Sequence, residues 1–298
     1  MKNILIIGCG LLGSSLVRSI SKKKIAKKIF IYEKSKKNIF KIKKLKLPGT
    51  IIKSLKDGVV CSDMIIFCTP MSEYKKLILK INSLISSKTV VTDIGSSKIE
   101  SSKIIRKFLK KDIHWTQSHP ITGSEVSGPE HGKHNLFENK WCVLIKDKNT
   151  NLKHLKTLNS FWKKVGSKTV IMDSQKHDKI FSVTSHLPHL IAYNLVKSAQ
   201  DFEKILRFDL IKYSAGGLRD FSRIAASNEI MWRDIFFDNK VNVKKAIDLF
   251  IKNLKDFKKD INSENNRSIL KKLTQTKKVR SKIIKLKQDV NKPDFGRN

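Results

Sequence analysis

Ile4-Leu5-Ile6-Ile7-Gly8-Cys9-Gly10-Leu11-Leu12-Gly13 decides the fold of this chain. The short apolar run at its start reads as a buried strand, and Leu11 to Ser21 continues with apolar residues at helical spacing. Between strand and helix, Gly8, Gly10 and Gly13 form GxGxxG, which permits a tight turn and brings a pyrophosphate close to the helix amino terminus. A second apolar run, Ile29 to Tyr32, ends at Glu33, twenty residues past Gly13. A carboxylate there accepts hydrogen bonds from the adenosine ribose hydroxyls and repels a 2′-phosphate, so the pattern selects NAD, although Lys34, Lys36 and Lys37 beside it argue for NADP.

Outward from this unit, Met64 to Cys68 ends at Thr69-Pro70 and Thr89 to Thr92 ends at Asp93, with helices expected over Ser72 to Ser83 and Ile99 to Lys110. Leu11 and Leu12 in the loop, with Thr69 and Pro70 at the strand end, complete the expected cofactor contacts. Trp141 to Ile145 and Thr169 to Met172 read as late strands flanking a helix from Leu152 to Val165. Strands alternating with helices imply an α/β, doubly wound parallel sheet of Rossmann type over residues 1–173. The strand pattern then stops. Gln175 to Ser198, Asp201 to Tyr213, Met231 to Asp238 and Val243 to Asp260 read as helices, giving an all-helical carboxyl-terminal domain over residues 174–298. Pro188 lies inside the first of these helices and is expected to kink or break it. The lysine-rich tail from Ser263 to Asn298 is expected to carry one exposed helix and a disordered end.

With 298 residues the chain is long enough for two domains, each with its own core. Its formal net charge of +36 raises a nucleic-acid reading, but the lysines are spread from Lys22 to Lys292 without aromatic interleaving, zinc-finger spacing or an RNP-like strand. Surface solvation explains the charge better, and no specific nucleic acid is expected as partner. Nothing approaches eighteen consecutive apolar residues, and Met1-Lys2-Asn3 passes directly into ILIIG, so neither a membrane span nor a secretory segment is expected. Cys9, Cys61, Cys68 and Cys142 are dispersed without a CxxC pair, which suits a reducing, cytoplasmic setting.

Arginine is scarce: nine among the 62 basic residues, three of them Arg219, Arg223 and Arg233. They cluster where a planar fork gripping a carboxylate differs most from a lysine point charge, which points to a small acidic substrate. His119 follows Ser118 after an expected strand Ile113 to Thr116 and so stands at the carboxyl edge of the sheet. His186 and His189, three apart on a helix, raise a metal site, but no Cys or carboxylate cluster completes a coordination set and none is assigned.

The order GCGLLG (8–13), SHPITGSE (118–125), TSHLPH (184–189) and GGLRDFSRIAASNEIMW (216–232) resembles the prephenate/arogenate dehydrogenase family of tyrosine biosynthesis, over roughly four fifths of the chain. The resemblance implies NAD-dependent oxidative decarboxylation of prephenate to 4-hydroxyphenylpyruvate, of arogenate to tyrosine, or of both. It makes His119, within HPxxGxE (His119, Pro120, Gly123, Glu125), the general base for the ring hydroxyl. It places Ser96 of D-x-G-S-x-K (Asp93, Gly95, Ser96, Lys98) near nicotinamide and histidine, while Ser96 or Ser97 as an ordinary helix N-cap stays open. Arg223 is implied to hold the substrate carboxylate, with Asp220 three residues earlier orienting it or gating it together with Glu125. His189 lines the pocket while His186 is a satisfied helical histidine; Gly216 and Trp232 join the substrate set, with core, interface and pocket wall all open for Trp232. A homodimer through the helical domain is implied. Two rivals remain: a Rossmann-plus-helical dehydrogenase of the 3-hydroxyacid or 6-phosphogluconate type, which relies on a lysine in its helical domain, and a basic nucleic-acid-binding protein.

Overall fold

In the computed structural model, which describes residues 1–286, β1 (Asn3–Ile7) is the centre of a five-stranded parallel sheet. The chain runs through α1 (Leu11–Lys22), β2 (Lys28–Tyr32), α2 (Lys36–Lys44), β3 (Thr50–Ile51), α3 (Leu55–Val60), β4 (Met64–Phe67), α4 (Tyr74–Ile81), β5 (Val90–Asp93) and α5 (Ile99–Phe108). The strand order is β3-β2-β1-β4-β5, so the winding reverses between β1 and β4 and opens a crevice at their carboxyl ends. The alternation of β1 explains its unbroken apolar sequence: Ile4 and Ile6 enter one core with Leu16, Ile20 and Trp162, while Leu5 and Ile7 enter the other with Phe67, Tyr74 and Trp115.

β6 (Ser118–Pro120), β7 (Trp141–Ile145), α6 (Leu152–Val165) and β8 (Lys168–Met172) form a second sheet in the order β6-β7-β8. Its β7-α6-β8 unit is parallel, and β6 runs antiparallel to β7 with His119 opposite Val143. The strand expected over Ile113 to Thr116 is reduced to a single bridge between Val91 and Trp115, because pairing shifts to the Ser118–Pro120 segment and its β7 partner.

The remainder is helical: α7 (Ser174–Phe181), α8 (Leu187–Leu206), α9 (Gly216–Ala225), α10 (Glu229–Asp238), α11 (Lys240–Asn262) and α12 (Asn266–Lys285). Pro188 does not break its helix. It falls in the first turn of α8, directly after a π-helical turn Ser182–His186 in which Leu187 N donates to Ser182 O, so the wide turn absorbs the irregularity. The separate helix expected over Asp201 to Tyr213 is absent. Nothing in Ser198 to Gln200 interrupts α8, which ends at Leu206 with Arg207 left-handed (φ 49°), and only a 3₁₀ turn follows at Ile211–Tyr213. The tail carries α12, which has no buried residue; its expected disordered end lies outside the described residues.

Among the described residues the helical half forms no hydrophobic cluster of its own within one chain, contrary to the expectation from length. Trp232 and Ile235 of α10 instead complete the core that covers one face of the parallel sheet, while Phe202, Ile205, Phe208, Tyr213, Leu249, Leu254 and Ile261 are exposed. No helix of the described residues is long and apolar enough to cross a membrane.

Candidate active site

The crevice between β1 and β4 has the shape a dinucleotide requires. Gly8 is held at φ +90°, and a Cβ there would lie 2.8 Å from Thr69 Cγ2; a Cβ on Gly13 would lie 2.1 Å from Gly8 O, so helix and turn can touch only through glycine. Gly10 is the N-cap of α1 without a side-chain hydrogen bond, and a Cβ on it would meet nothing within 4 Å. Leu11 and Leu12 thus begin a helix whose first-turn N–H groups have no side-chain cap, as an anion site requires. Glu33 spans the end of the loop: Oε2 accepts from Cys9 N (2.8 Å) and Oε1 from Ser35 N (2.9 Å). Thr69 Oγ1 is buried without a hydrogen-bond partner beside Gly8, and Pro70 next to it is exposed. An open cradle at Gly10 with an orphaned hydroxyl on its wall fits a bound dinucleotide.

β6 carries His119 to the carboxyl edge, where it is 7% exposed. Its Nδ1 lies 2.8 Å from His177 Nε2, and His177 Nδ1 lies 2.7 Å from Asp178 Oδ1. Burial pushes His119 well below the ordinary histidine range, with His177, Lys98 and His186 adding to the effect. A histidine so placed is neutral at physiological pH and able to accept a proton.

Lys98 is fully buried and supplies the fixed positive charge of this region, Nζ donating to Asp93 Oδ2 (2.8 Å) and Ser118 O (2.7 Å). Tyr74 Oη (3.2 Å) and Gly95 N (3.0 Å) donate to the same carboxylate oxygen. The rival dehydrogenases keep their lysine in the helical domain, whereas this one belongs to the nucleotide half and is neutralised by Asp93. Ser96 lies half-buried on the turn after β5. Neither Ser96 nor Ser97 caps α5: Asp178 does, Oδ1 accepting from Lys98 N (2.9 Å) and Oδ2 from Ile99 N (3.0 Å). His177 and Asp178 escape a reading of the sequence because a histidine and an aspartate on a lysine-rich helix carry no motif, and their partners are 58 and 80 residues away.

From the helical half, α9 presents Arg223, whose Nη1 lies 3.5 Å from Glu125 Oε2 beyond β6. The two expected substrate residues therefore meet across the junction of the halves. Glu125 is held below the usual carboxylate range by its own backbone, by the Ser124 hydroxyl and by Arg223. Asp220 lies exposed one turn before Arg223, and Gly216 opens the same helix. His189 donates from Nδ1 to Ser185 O (2.9 Å) and stacks on Trp232 at 3.7 Å between ring centroids. Trp232, 5% exposed, belongs to the core shared by the two halves. His186 is fully buried, its Nδ1 3.1 Å from Asn239 Nδ2. Among the described residues no group of three or more His, Cys, Asp or Glu is arranged to hold a metal ion.

Two family models match this chain: prephenate dehydrogenase, nucleotide-binding domain, over residues 16–171, and prephenate dehydrogenase, dimerization domain, over residues 173–275. The chain is 30% identical over 279 residues to the cyclohexadienyl dehydrogenase of Zymomonas mobilis, covering 94% of this chain and 95% of that one. It is 29% identical over 270 residues to the prephenate dehydrogenase of Bacillus subtilis, covering 90% and 72%. Among solved structures it is similar to prephenate dehydrogenase from Aquifex aeolicus in complex with hydroxyphenyl propionate and NAD+, with a TM-score of 0.88, 35% identity and coverage of 95% and 98%. Synechocystis arogenate dehydrogenase shares the fold at a TM-score of 0.76 and 21% identity, covering 94% of this chain and 99% of that one. With both halves of the chain matched, and the glycine cradle, the buried histidine and the arginine of α9 all in place, the chain belongs to the prephenate dehydrogenase family.

Proposed function

We propose that the protein oxidatively decarboxylates prephenate to 4-hydroxyphenylpyruvate, arogenate to tyrosine, or both, with NAD as oxidant, as a step of tyrosine biosynthesis. The observation that carries this reading is His119, buried at the carboxyl edge and held by burial well below the ordinary histidine range, in the same half of the chain as the glycine cradle. NAD supplies the hydride acceptor when bound, held by Gly8, Gly10, Leu11, Leu12, Gly13, Thr69 and Pro70, with Glu33 toward the ribose. His119 takes the proton of the ring hydroxyl as hydride leaves the same carbon, with Ser96 near both nicotinamide and histidine. Carbon dioxide leaves the opposite ring carbon, and aromatisation supplies the driving force. The residues therefore mainly position, deprotonate and hold carboxylates.

Arg223 holds a substrate carboxylate, with Glu125 its partner in the free protein and Asp220, Gly216, His189 and Trp232 completing the pocket. Residues 1–173 form the nucleotide-binding domain and 174–298 the substrate-binding and dimerisation domain, a division supported by the end of β8 at Met172. The exposed apolar side chains of the helical half support a homodimer through that domain. The dispersed, unpaired cysteines support a cytoplasmic location. NADH formation measured with prephenate and separately with arogenate tests the reading; no NADH from either substrate contradicts it.

A further inference from the structure

We infer that His177 and Asp178 form with His119 a buried proton-handling chain, which fixes the tautomer of the base and takes up the charge that the base acquires. The inference rests on the general-base reading of His119.

The direction of each hydrogen bond follows from Asp178. Its carboxylate already accepts from Lys98 N and Ile99 N and has only acceptor sites to offer, so His177 Nδ1, 2.7 Å away, must donate to it. Neutral His177 then has a lone pair on Nε2, and His119 Nδ1, 2.8 Å away, must donate to that. The opposite arrangement would turn a bare His177 Nδ1 toward a carboxylate oxygen. His119 is thereby held with Nδ1 protonated and Nε2 as its one basic site. His177 and Asp178 are both 0% exposed, and Phe181 lies against both imidazoles, with ring centroids 4.9 Å from His119 and 4.5 Å from His177. Water therefore has little access to the link from that side.

The same geometry provides for the proton taken up in turnover. As the substrate O–H bond breaks, a bond forms from that proton to His119 Nε2. The Nδ1–H bond of His119 breaks as a new one forms to His177 Nε2, and no electrons are exchanged between the rings. The positive charge then rests on His177 against the Asp178 carboxylate. Lys98 opposes a charge on either ring, but on His177 the Asp178 and Asp93 carboxylates favour it, whereas on His119 His186 opposes it as well. Of the other groups facing the pair, Asp93 neutralises Lys98 through its 2.8 Å ion pair, and burial keeps the Cys142 thiol protonated and uncharged. His177 is a positioning residue: its partners are His119 and Asp178.

Full-length His177→Leu and His177→Gln, assayed with NAD and prephenate, test this chain. Gln retains an acceptor for His119 Nδ1 and cannot take the proton; Leu removes both functions. We expect kcat to fall about tenfold in His177→Gln and about 100-fold in His177→Leu, the latter at the lower end of a general-base contribution. The acidic limb of the kcat profile should be displaced in both, because His119 has lost the ring that fixes its tautomer and takes up its charge, while KM and NAD affinity stay unchanged. A wild-type kcat and acidic limb in His177→Leu, alongside an inactive His119→Asn, overturns the chain and leaves the base intact. An active His119→Asn removes the base itself and the chain with it. If His177→Leu does not fold, nitrogen-15 spectra of the unmodified protein with NAD decide: Nδ1-protonated His119 is expected, and the Nε2-protonated tautomer overturns the proposal.

Discussion

Arg223→Lys keeps the charge at the junction of the two halves and removes only the fork, so its effect separates electrostatic attraction from bidentate grip. In the free protein the Arg223 side chain is 40% exposed and its contact with Glu125 is 3.5 Å long, a pair worth at most about 1 kcal/mol to stability. The substitution should therefore leave the thermal midpoint within a few degrees. Its cost should fall on the substrate. A charge-assisted hydrogen bond contributes about 1.5–3 kcal/mol, so losing one of two lowers kcat/KM by roughly 10- to 150-fold, and the exposure of Arg223 favours the lower end. Steady-state kinetics with prephenate and with arogenate, alongside NAD titration, read this directly. Wild-type kcat/KM with both substrates moves the carboxylate clamp elsewhere, with Arg219 and Arg233 as the next candidates; a loss confined to NAD affinity assigns Arg223 to the junction of the halves and refutes the clamp.

Glu33→Ser should narrow the preference for NAD over NADP in paired binding titrations; equal affinities of the unmodified protein for both cofactors would contradict the ribose-reading role. Gly13→Ala places a methyl 2.1 Å from Gly8 O, so NAD binding should be lost and the melting temperature lowered, whereas an intact NAD affinity would show that the turn yields without cost to the cradle. Burial lowers His119, His154, His177, His186 and His189 below 6.5, His186 to about 4. The unfolded chain therefore binds more protons in that window, and stability present above pH 6.5 should decline as the pH falls toward about 4. Melting curves across that range check the decline, and a flat profile would mean that the five rings are solvated.

β1, its glycine loop and α1 are legible in the sequence because three local rules agree there: a buried apolar run, a glycine motif in which no Cβ fits at Gly8 or Gly13, and helical spacing beyond it. β7 and α6 emerge with their observed boundaries for similar reasons, α6 being stopped by Gly166 in the left-handed region. α2 and β3 are not legible. Lys36–Lys44 is so lysine-rich that Ile42 is its only buried residue, and Thr50–Ile51 is too short to show alternation. The site divides in the same way. His119, Glu125 and Arg223 lie in motifs, whereas the His177–Asp178 link and the cap that Asp178 places on α5 arise only when α7 packs beside β6 and α5. The uncovered apolar faces of α8 and α11 defeat a reading from length alone, since chain length does not reveal whether a core is completed within one chain or between two.

Turnover of prephenate by His119→Asn, measured beside the NAD affinity of the same variant, tests the central claim most directly. Loss of the base should lower kcat by about 10²–10⁴-fold, while the cofactor, whose glycine cradle does not involve β6, binds as before. Near-normal turnover would remove His119 from the chemistry and leave the ring hydroxyl to be deprotonated by some other group.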